Sequence, residues 1–366
     1  MKSHNQPDYI LLAVIAILVV LGLIMVSSAS IGQSQERFHE SYYYLKSQLL
    51  KGLLPGLILG LIAYFFPYRY LKPLALPLLA ITVIGLILVF IPGLGTEYGG
   101  AKRWVILGPI VLQPTEFLKL SFIIYLSAWL ANKGKVIKDF SQSLLPFLIM
   151  IGAIAFLVIM EPDIGTLGVI GFTSLIIYFL AGARISHLGF IGFGSVIMFY
   201  LLTKFYSHAA NRLQVFLHPE LDPKGIGYQI NQAVLAIGSG GMFGLGLGQG
   251  VQKFKYLPEP ASDSILAVIG EELGFIGIMA LLLLFLILTF RGFKIAQGAP
   301  DDFGRLLAGG LTGWITIQAL INMAAISGLI PLTGITLPFI SLGGSSLAIS
   351  LAGMGILLNI SKYSKT

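Results

Sequence analysis

Apolar runs of about 18 residues or more recur along the whole chain, each long enough to cross a hydrocarbon layer ~30 Å thick. About ten are read: Tyr9–Val26, Leu49–Phe66, Leu71–Ile91, Pro114–Leu130, Leu144–Met160, Ile164–Leu180, Leu188–Thr203, Ser264–Phe290, Leu306–Ile326 and Ser345–Ile360. In lipid the backbone satisfies its own hydrogen bonds only as a helix or a closed barrel. These runs lack the period-two alternation of barrel strands. The expected fold is therefore all-α, with residues 1–366 forming one integral membrane domain, a polytopic bundle of about ten transmembrane helices. Composition excludes a soluble enzyme, since the 366 residues are 56% hydrophobic and only 11% charged. A soluble domain carries about 25% charged residues.

The absence of cysteine removes disulfides, thiolate chemistry and iron–sulfur or cysteine-zinc sites. The net charge of +7 includes no Lys/Arg block long enough to track phosphates, so no nucleic-acid partner is expected. Lys2 before an apolar stretch and Ser27-Ser28-Ala29-Ser30 after it resemble a signal peptide. Tyr9–Val26 exceeds the usual length of such a segment, so it reads as a retained first span.

Loop charge sets orientation. One alternate set of loops holds Lys2, Arg69, Lys72, Lys133, Lys135, Lys138, Arg184, Arg291, Lys294, Arg305, Lys362 and Lys365. The short loops of the other set hold Arg37, Lys46, Lys51, Lys102 and Arg103. The first set is expected in the cytoplasm, with both termini. Most loop acids then fall outside: Glu36, Glu40, Glu97, Glu161, Asp163, Glu220, Asp222, Glu259 and Asp263. The longest connection, residues 204–262, becomes a large extracytoplasmic loop, and loops of this length tend to carry function. Gly328–Gly344 is apolar but broken by Pro331, Gly334, Pro338, Gly343 and Gly344. It is expected to dip into the protein or lie over it rather than span.

Charge within apolar spans is costly and marks function by default. Glu116 and Lys119 share one helical face at i, i+3 and read equally as a structural ion pair or as part of a headgroup site near Lys102 and Arg103. Glu271 and Glu272 point about 100° apart; they read as mainly structural, at least one bonding a neighbouring helix or a loop amide. Asp263 closes the long loop at the start of a span. It reads either as a helix N-cap, a role Ser262 could share, or as a base for a sugar hydroxyl. Arg212, Lys224, Lys253 and Lys255 in the same loop are singly solvated or lipid-phosphate contacts; together they suit a pyrophosphate leaving group. Gly238 to Gly250 lacks the Lys-Ser/Thr of a P-loop and the spacing of a dinucleotide fold, and reads as close-packing backbone. His4, His39, His187, His208 and His218 show no ligand spacing, so no protein-bound metal is expected; a divalent cation carried by a pyrophosphate substrate stays compatible.

At these positions the chain resembles the SEDS family, the FtsW/RodA/SpoVE-type peptidoglycan polymerases. The matching segments are Gly99 to Trp104 with Gln113 to Lys119, Glu161-Pro162-Asp163-Ile164-Gly165-Thr166, and Gly227-Tyr228-Gln229 with Ala236 to Gly241. They continue with Tyr256-Leu257-Pro258-Glu259 to Asp263, Ile269 to Gly274, and Gly328 to Gly334 through Leu337 to Ser341 and Gly343 to Ser346. The ending Gly355 to Ser361 looks closer to the FtsW branch. Two departures stand out: Ala261-Ser262 and Ser264 flank Asp263 where the family usually has His-Thr and Phe, and Leu342 replaces a frequent Tyr.

The resemblance implies a glycosyltransferase of the bacterial cytoplasmic membrane that polymerises lipid II on its outer face during cell division or elongation. It also implies a class B penicillin-binding protein partner and other divisome or elongasome membrane proteins. On that reading Asp263 is the catalytic base, while Glu116, Lys119, Arg103, Arg212 and Lys253 serve the pyrophosphate-linked substrate. A lipid II flippase and a non-catalytic scaffold for a penicillin-binding protein are the alternatives. Missing internal repeats and polar residues gathered at one face weigh against the flippase.

Overall fold

The computed structural model describes residues 6–98, 101–108, 110–254 and 256–365. Lys2, His4, Gly99, Gly100 and Lys255 lie outside the described residues, as do the side chains of Glu97, Lys102 and His208. The first helices are α1 (Tyr9–Phe38), α2 (Tyr43–Gln48), α3 (Leu54–Phe65) and α4 (Leu71–Leu88). Next come α5 (Pro114–Ala131), α6 (Leu145–Met160), α7 (Ile164–Leu180) and α8 (Ile185–Phe205). The series ends with α9 (Ser207–Leu217), α10 (Ile226–Ser239), α11 (Ile265–Gly298), α12 (Asp302–Ile326) and α13 (Gly344–Ser361). Eight helical segments among the described residues are long and apolar enough to cross a membrane. Ile164–Leu180, one residue short of that length class, and Pro114–Ala131, which carries Glu116 and Lys119, bring these to the ten runs read from the sequence. The chain is a multi-pass helical membrane protein.

Local chemistry explains the boundaries. The Asp8 carboxylate accepts the Leu11 N–H at 2.9 Å to start α1, and Asp301 does the same for Gly304 at 2.8 Å to start α12. Proline opens α5 and sits in the first turn of α6, where its missing N–H costs nothing. α13 is the central post: 94% of its spanning window is buried, against 17% for α8. It packs on α3 through glycines. A Cβ on Gly355 would stand 2.2 Å from the Gly60 carbonyl oxygen, so only hydrogen there permits the helices to touch. α3, α4 and α8 turn Leu61, Ile81 and Phe193 outward, as lipid-facing helices do.

The two ends of the bundle differ. At one, Asp8, Tyr68, Arg291, Asp301 and Asn359 bond helix termini to one another. The opposite end holds β1 (Gly95–Tyr98), β2 (Ala101–Leu107) and β3 (Ile110–Leu112), a small antiparallel sheet in the order β1-β2-β3. The all-α reading did not include it. Val105, Ile106, Ile110 and Val111 flank a turn with Gly108 at φ 62°, a β-branched hairpin too short for a periodicity test to detect.

The expected regular span over Ser264–Phe290 is interrupted. Gly274 adopts φ 68°, ψ −167°, and the long loop threads into the break. Leu245 and Gly246 donate to the Glu271 and Glu272 carbonyls at 2.9 and 3.0 Å, and Phe275 and Ile276 donate to Gly241 and Met242 at 2.9 and 3.2 Å. Side chains would prevent this: a Cβ on Gly244 would lie 2.2 Å from the Glu272 carbonyl oxygen. The glycine-rich stretch is close-packing backbone.

Candidate functional site

Residues 327–343 form no helix, yet Leu332, Ile335, Leu337, Phe339 and Ile340 are buried, so this segment is a strap folded into the sheet end of the bundle. Irregular backbone there needs side chains to satisfy it. Arg212 Nη1 from α9 donates to the Thr333 carbonyl at 3.0 Å. Asn322 Nδ2 donates to the Ile335 carbonyl at 2.8 Å, and Gln318 Nε2 to the Thr336 carbonyl at 3.0 Å. Asn322 and Gln318 sit one turn apart on α12, so both amides point the same way. Gly165, at the start of α7, presses on the same stretch; a Cβ there would come within 2.7 Å of the Thr333 oxygen.

Asp263 faces the strap. The residue at the α11 N-cap is Ser264, and no side-chain capping bond forms there. The turn before it is closed by Ser262 and Ser264 N–H groups donating to the Glu259 carbonyl. Among the described residues the Asp263 carboxylate neither accepts a hydrogen bond nor sits in an ion pair closer than 4 Å, so capping is not its role. It is partly exposed. A Cβ placed on Gly334 would lie 3.6 Å from both Asp263 Oδ2 and Arg212 Nη2. Carboxylate and guanidinium thus border one small space, which Gly334, at φ 72°, leaves open.

Arg103, on β2, reaches the same end. Its Nε donates to the Glu161 carbonyl at 3.1 Å and its Nη2 to the Pro162 carbonyl. Asp163 caps α7 through the Thr166 N–H at 3.2 Å. Burial, and after it these charges, sets the titration of the site. Burial, then Glu259, pushes the Asp263 carboxyl from 3.8 up to about 6, against the pull of Arg212 and Arg103. Burial, then Arg103, lowers the Arg212 guanidinium, while Asp163 and Asp263 hold it up. Glu161 is fully buried, with both carboxyl oxygens unpartnered among the described residues. Burial, then Asp163, pushes it from 4.5 up to about 8.

The remaining sequence candidates lie elsewhere. Glu116 and Lys119 are buried inside the bundle, paired at 2.9 Å. Lys119 Nζ also donates to Gln318 Oε1 at 2.8 Å, which accepts the Trp314 indole N–H at 2.8 Å as well. Both side chains are buried, and the pair braces the strap from behind through Gln318. Lys253 departs from its expected place beside a pyrophosphate. It is 2% exposed, and its ammonium donates to Ser28 Oγ at 2.9 Å, the Gly248 carbonyl at 2.9 Å and Glu272 Oε1 at 2.6 Å. With all three protons used, it is a buried counter-ion for Glu272. Glu271 accepts the Val251 and Gln252 amides at 2.8 and 3.1 Å, the loop-amide role expected for one of the two glutamates.

The sequence reading missed Asn322, Gln318 and Glu161 as site residues, and treated Asp163 only as a loop acid within a motif. Two amides four residues apart in an apolar span were the available signal for the first pair. Among the described residues no group of three or more His, Asp or Glu is arranged to hold a metal ion.

A family model described as FTSW_RODA_SPOVE, cell cycle protein, matches residues 8–366. Stage V sporulation protein E of Bacillus subtilis (strain 168) is 43% identical over 99% of both chains. The probable peptidoglycan glycosyltransferase FtsW of Trichlorobacter lovleyi is 42% identical, over 97% of this chain and 93% of that protein. The solved rod shape determining protein RodA of Thermus thermophilus superposes with a TM-score of 0.72 at 27% identity, over 98% of both chains. A chain from a structure described as the coordination of polymerization and crosslinking by a peptidoglycan synthase complex gives 0.80 at 27% identity, over 97% of both.

Proposed function

This chain belongs to the FtsW/RodA/SpoVE, or SEDS, family, and on that premise we propose that it is a peptidoglycan glycosyltransferase polymerising lipid II. Its sheet end faces outward, as the loop charges require, and both termini are cytoplasmic. Asp263 is the general base. It takes the proton of the acceptor GlcNAc 4-hydroxyl as that oxygen attacks the anomeric carbon of the donor chain. The new C–O bond forms as the bond to undecaprenyl pyrophosphate breaks, a single displacement that inverts the carbon. Arg212 and Arg103 meet the charge developing on the departing pyrophosphate.

The observation that carries this reading is the Asp263 carboxylate itself, unbonded among the described residues and sharing the space over Gly334 with Arg212. Its elevated titration, near pH 6, suits a base working near neutrality. Glu116 and Lys119 serve indirectly, through Gln318 and the strap. The partner is a class B penicillin-binding protein; in support, the fold resembles a chain of a peptidoglycan synthase complex described as coordinating polymerization and crosslinking.

The test is polymerisation of purified lipid II by the chain with its partner. Asp263→Ala should lose about 10²–10⁴ in rate. A variant as fast as the parent refutes the base, and leaves the scaffold reading if partner binding alone carries the phenotype. Liposomes loaded with fluorescent lipid II separate the flippase alternative, which requires translocation without polymer.

A further inference from the structure

We infer that Asn322 is the positioning residue for Asp263: its side-chain amide ties the main chain of residue 263 to the strap and so sets where the carboxylate stands beside Arg212. The inference rests on the reading of Asp263 as the base. Three successive carbonyls approach the α11 start and each is gripped from the strap or from α12. Leu342 N–H donates to Ala261 O at 2.8 Å, Ser341 Oγ to Ser262 O at 2.7 Å, and Asn322 Nδ2 to Asp263 O at 3.1 Å. The first two grips come from the far end of the strap. Of the three grips, that of Asn322 also holds the stretch beside Gly334, through the Ile335 carbonyl at 2.8 Å.

The amide orientation is forced. Asn322 is 2% exposed, and a flipped side chain would set its oxygen against two carbonyl oxygens. Its own Oδ1 is buried without a partner among the described residues, so the two donations are the hydrogen bonds that this side chain makes among them. Both amide protons are spent on main chain, which leaves none for substrate and makes the effect on chemistry indirect.

A bolt of this kind has a signature that bulk packing lacks. The charged groups around Asp263 are Glu259 in the preceding turn, Arg212 on α9, Arg103 on β2 and Asp163 at the start of α7. The strap and the facing turn of α12 carry no titratable group. Burial is the largest influence on the carboxyl, so releasing its main chain admits water and lets it ionise at lower pH.

The experiment measures lipid II polymerisation from pH 5 to pH 8.5 for the parent, Asn322→Ala and Ser341→Ala, each as the full chain with its penicillin-binding partner. Asn322→Ala should lose roughly tenfold to a hundredfold in kcat, with KM little changed. Its acid limb should move down from near pH 6 by about one unit. Ser341→Ala, which frees residue 262 instead, should keep the limb in place. If Asn322→Ala cannot be purified folded, Asn322→Ser, which keeps one donor, is judged by the same criteria. Parental kcat and limb overturn the inference; so does a lost rate with the limb unmoved, which marks a purely structural amide. A fully active Asp263→Ala instead removes the base reading, whatever Asn322 does.

Discussion

Replacing Asp263 by Asn should stabilise this protein while abolishing its polymerisation. The magnitude follows from the carboxyl's surroundings, which push it from 3.8 to about 6. At about 1.4 kcal/mol per unit, the folded protein bears a cost of up to about 3 kcal/mol for keeping that group ionised. The sign is set by proton binding. Between pH 4 and 6, roughly, the folded state holds this proton and the unfolded state does not, so stability falls as pH rises through that window and then levels off. The asparagine amide has the same shape and does not titrate. The variant should therefore match the parent near pH 4 and exceed it by about 1–3 kcal/mol at pH 7. Unfolding midpoints in detergent across pH 4–8, with polymerisation assayed at pH 7, read both effects. A variant less stable than the parent at pH 7, or a gap of equal size at both ends of the range, would show that the site does not strain this carboxylate.

Lys119→Met should cost about 3–5 kcal/mol by leaving the Glu116 charge buried alone, and Glu116→Gln with Lys119→Met should restore most of it; a single-variant cost under about 1 kcal/mol would show that the pair does not brace the bundle. Gly334→Ala meets only ordinary contacts at 3.6 Å, so it should lose about 1–2 kcal/mol to the left-handed backbone while losing far more activity than stability. An undiminished rate would mean that substrate does not use the space between Asp263 and Arg212. Glu161→Gln should be more stable than the parent, by a margin that widens as pH rises from 4.5 to about 8 and then stays constant, because the buried carboxyl holds its proton up to about 8. Melting curves over that range check it, and a margin independent of pH would contradict it.

Much of the fold is legible in the chain alone because lipid tolerates few solutions. Ten apolar runs specify helices, and Pro331, Gly334 and Pro338 exclude an eleventh in the strap. Asp263 was legible as a candidate by its place at a loop end, and the pair Glu271 and Glu272 as holding a loop amide through at least one of the two. What the sequence could not convey were partners chosen by packing. Lys253 looks like its neighbour cations until Ser28 and Glu272 are folded around it. The break at Gly274 exists because residues 241–246 arrive to fill it. Asn322 lies 59 residues from Asp263, and only the crossing of α12 over the strap makes them neighbours. Hydrophobic length is a property of consecutive residues and is written along the chain. A hydrogen bond across the bundle depends on where two distant segments come to rest, and that is decided when the helices pack.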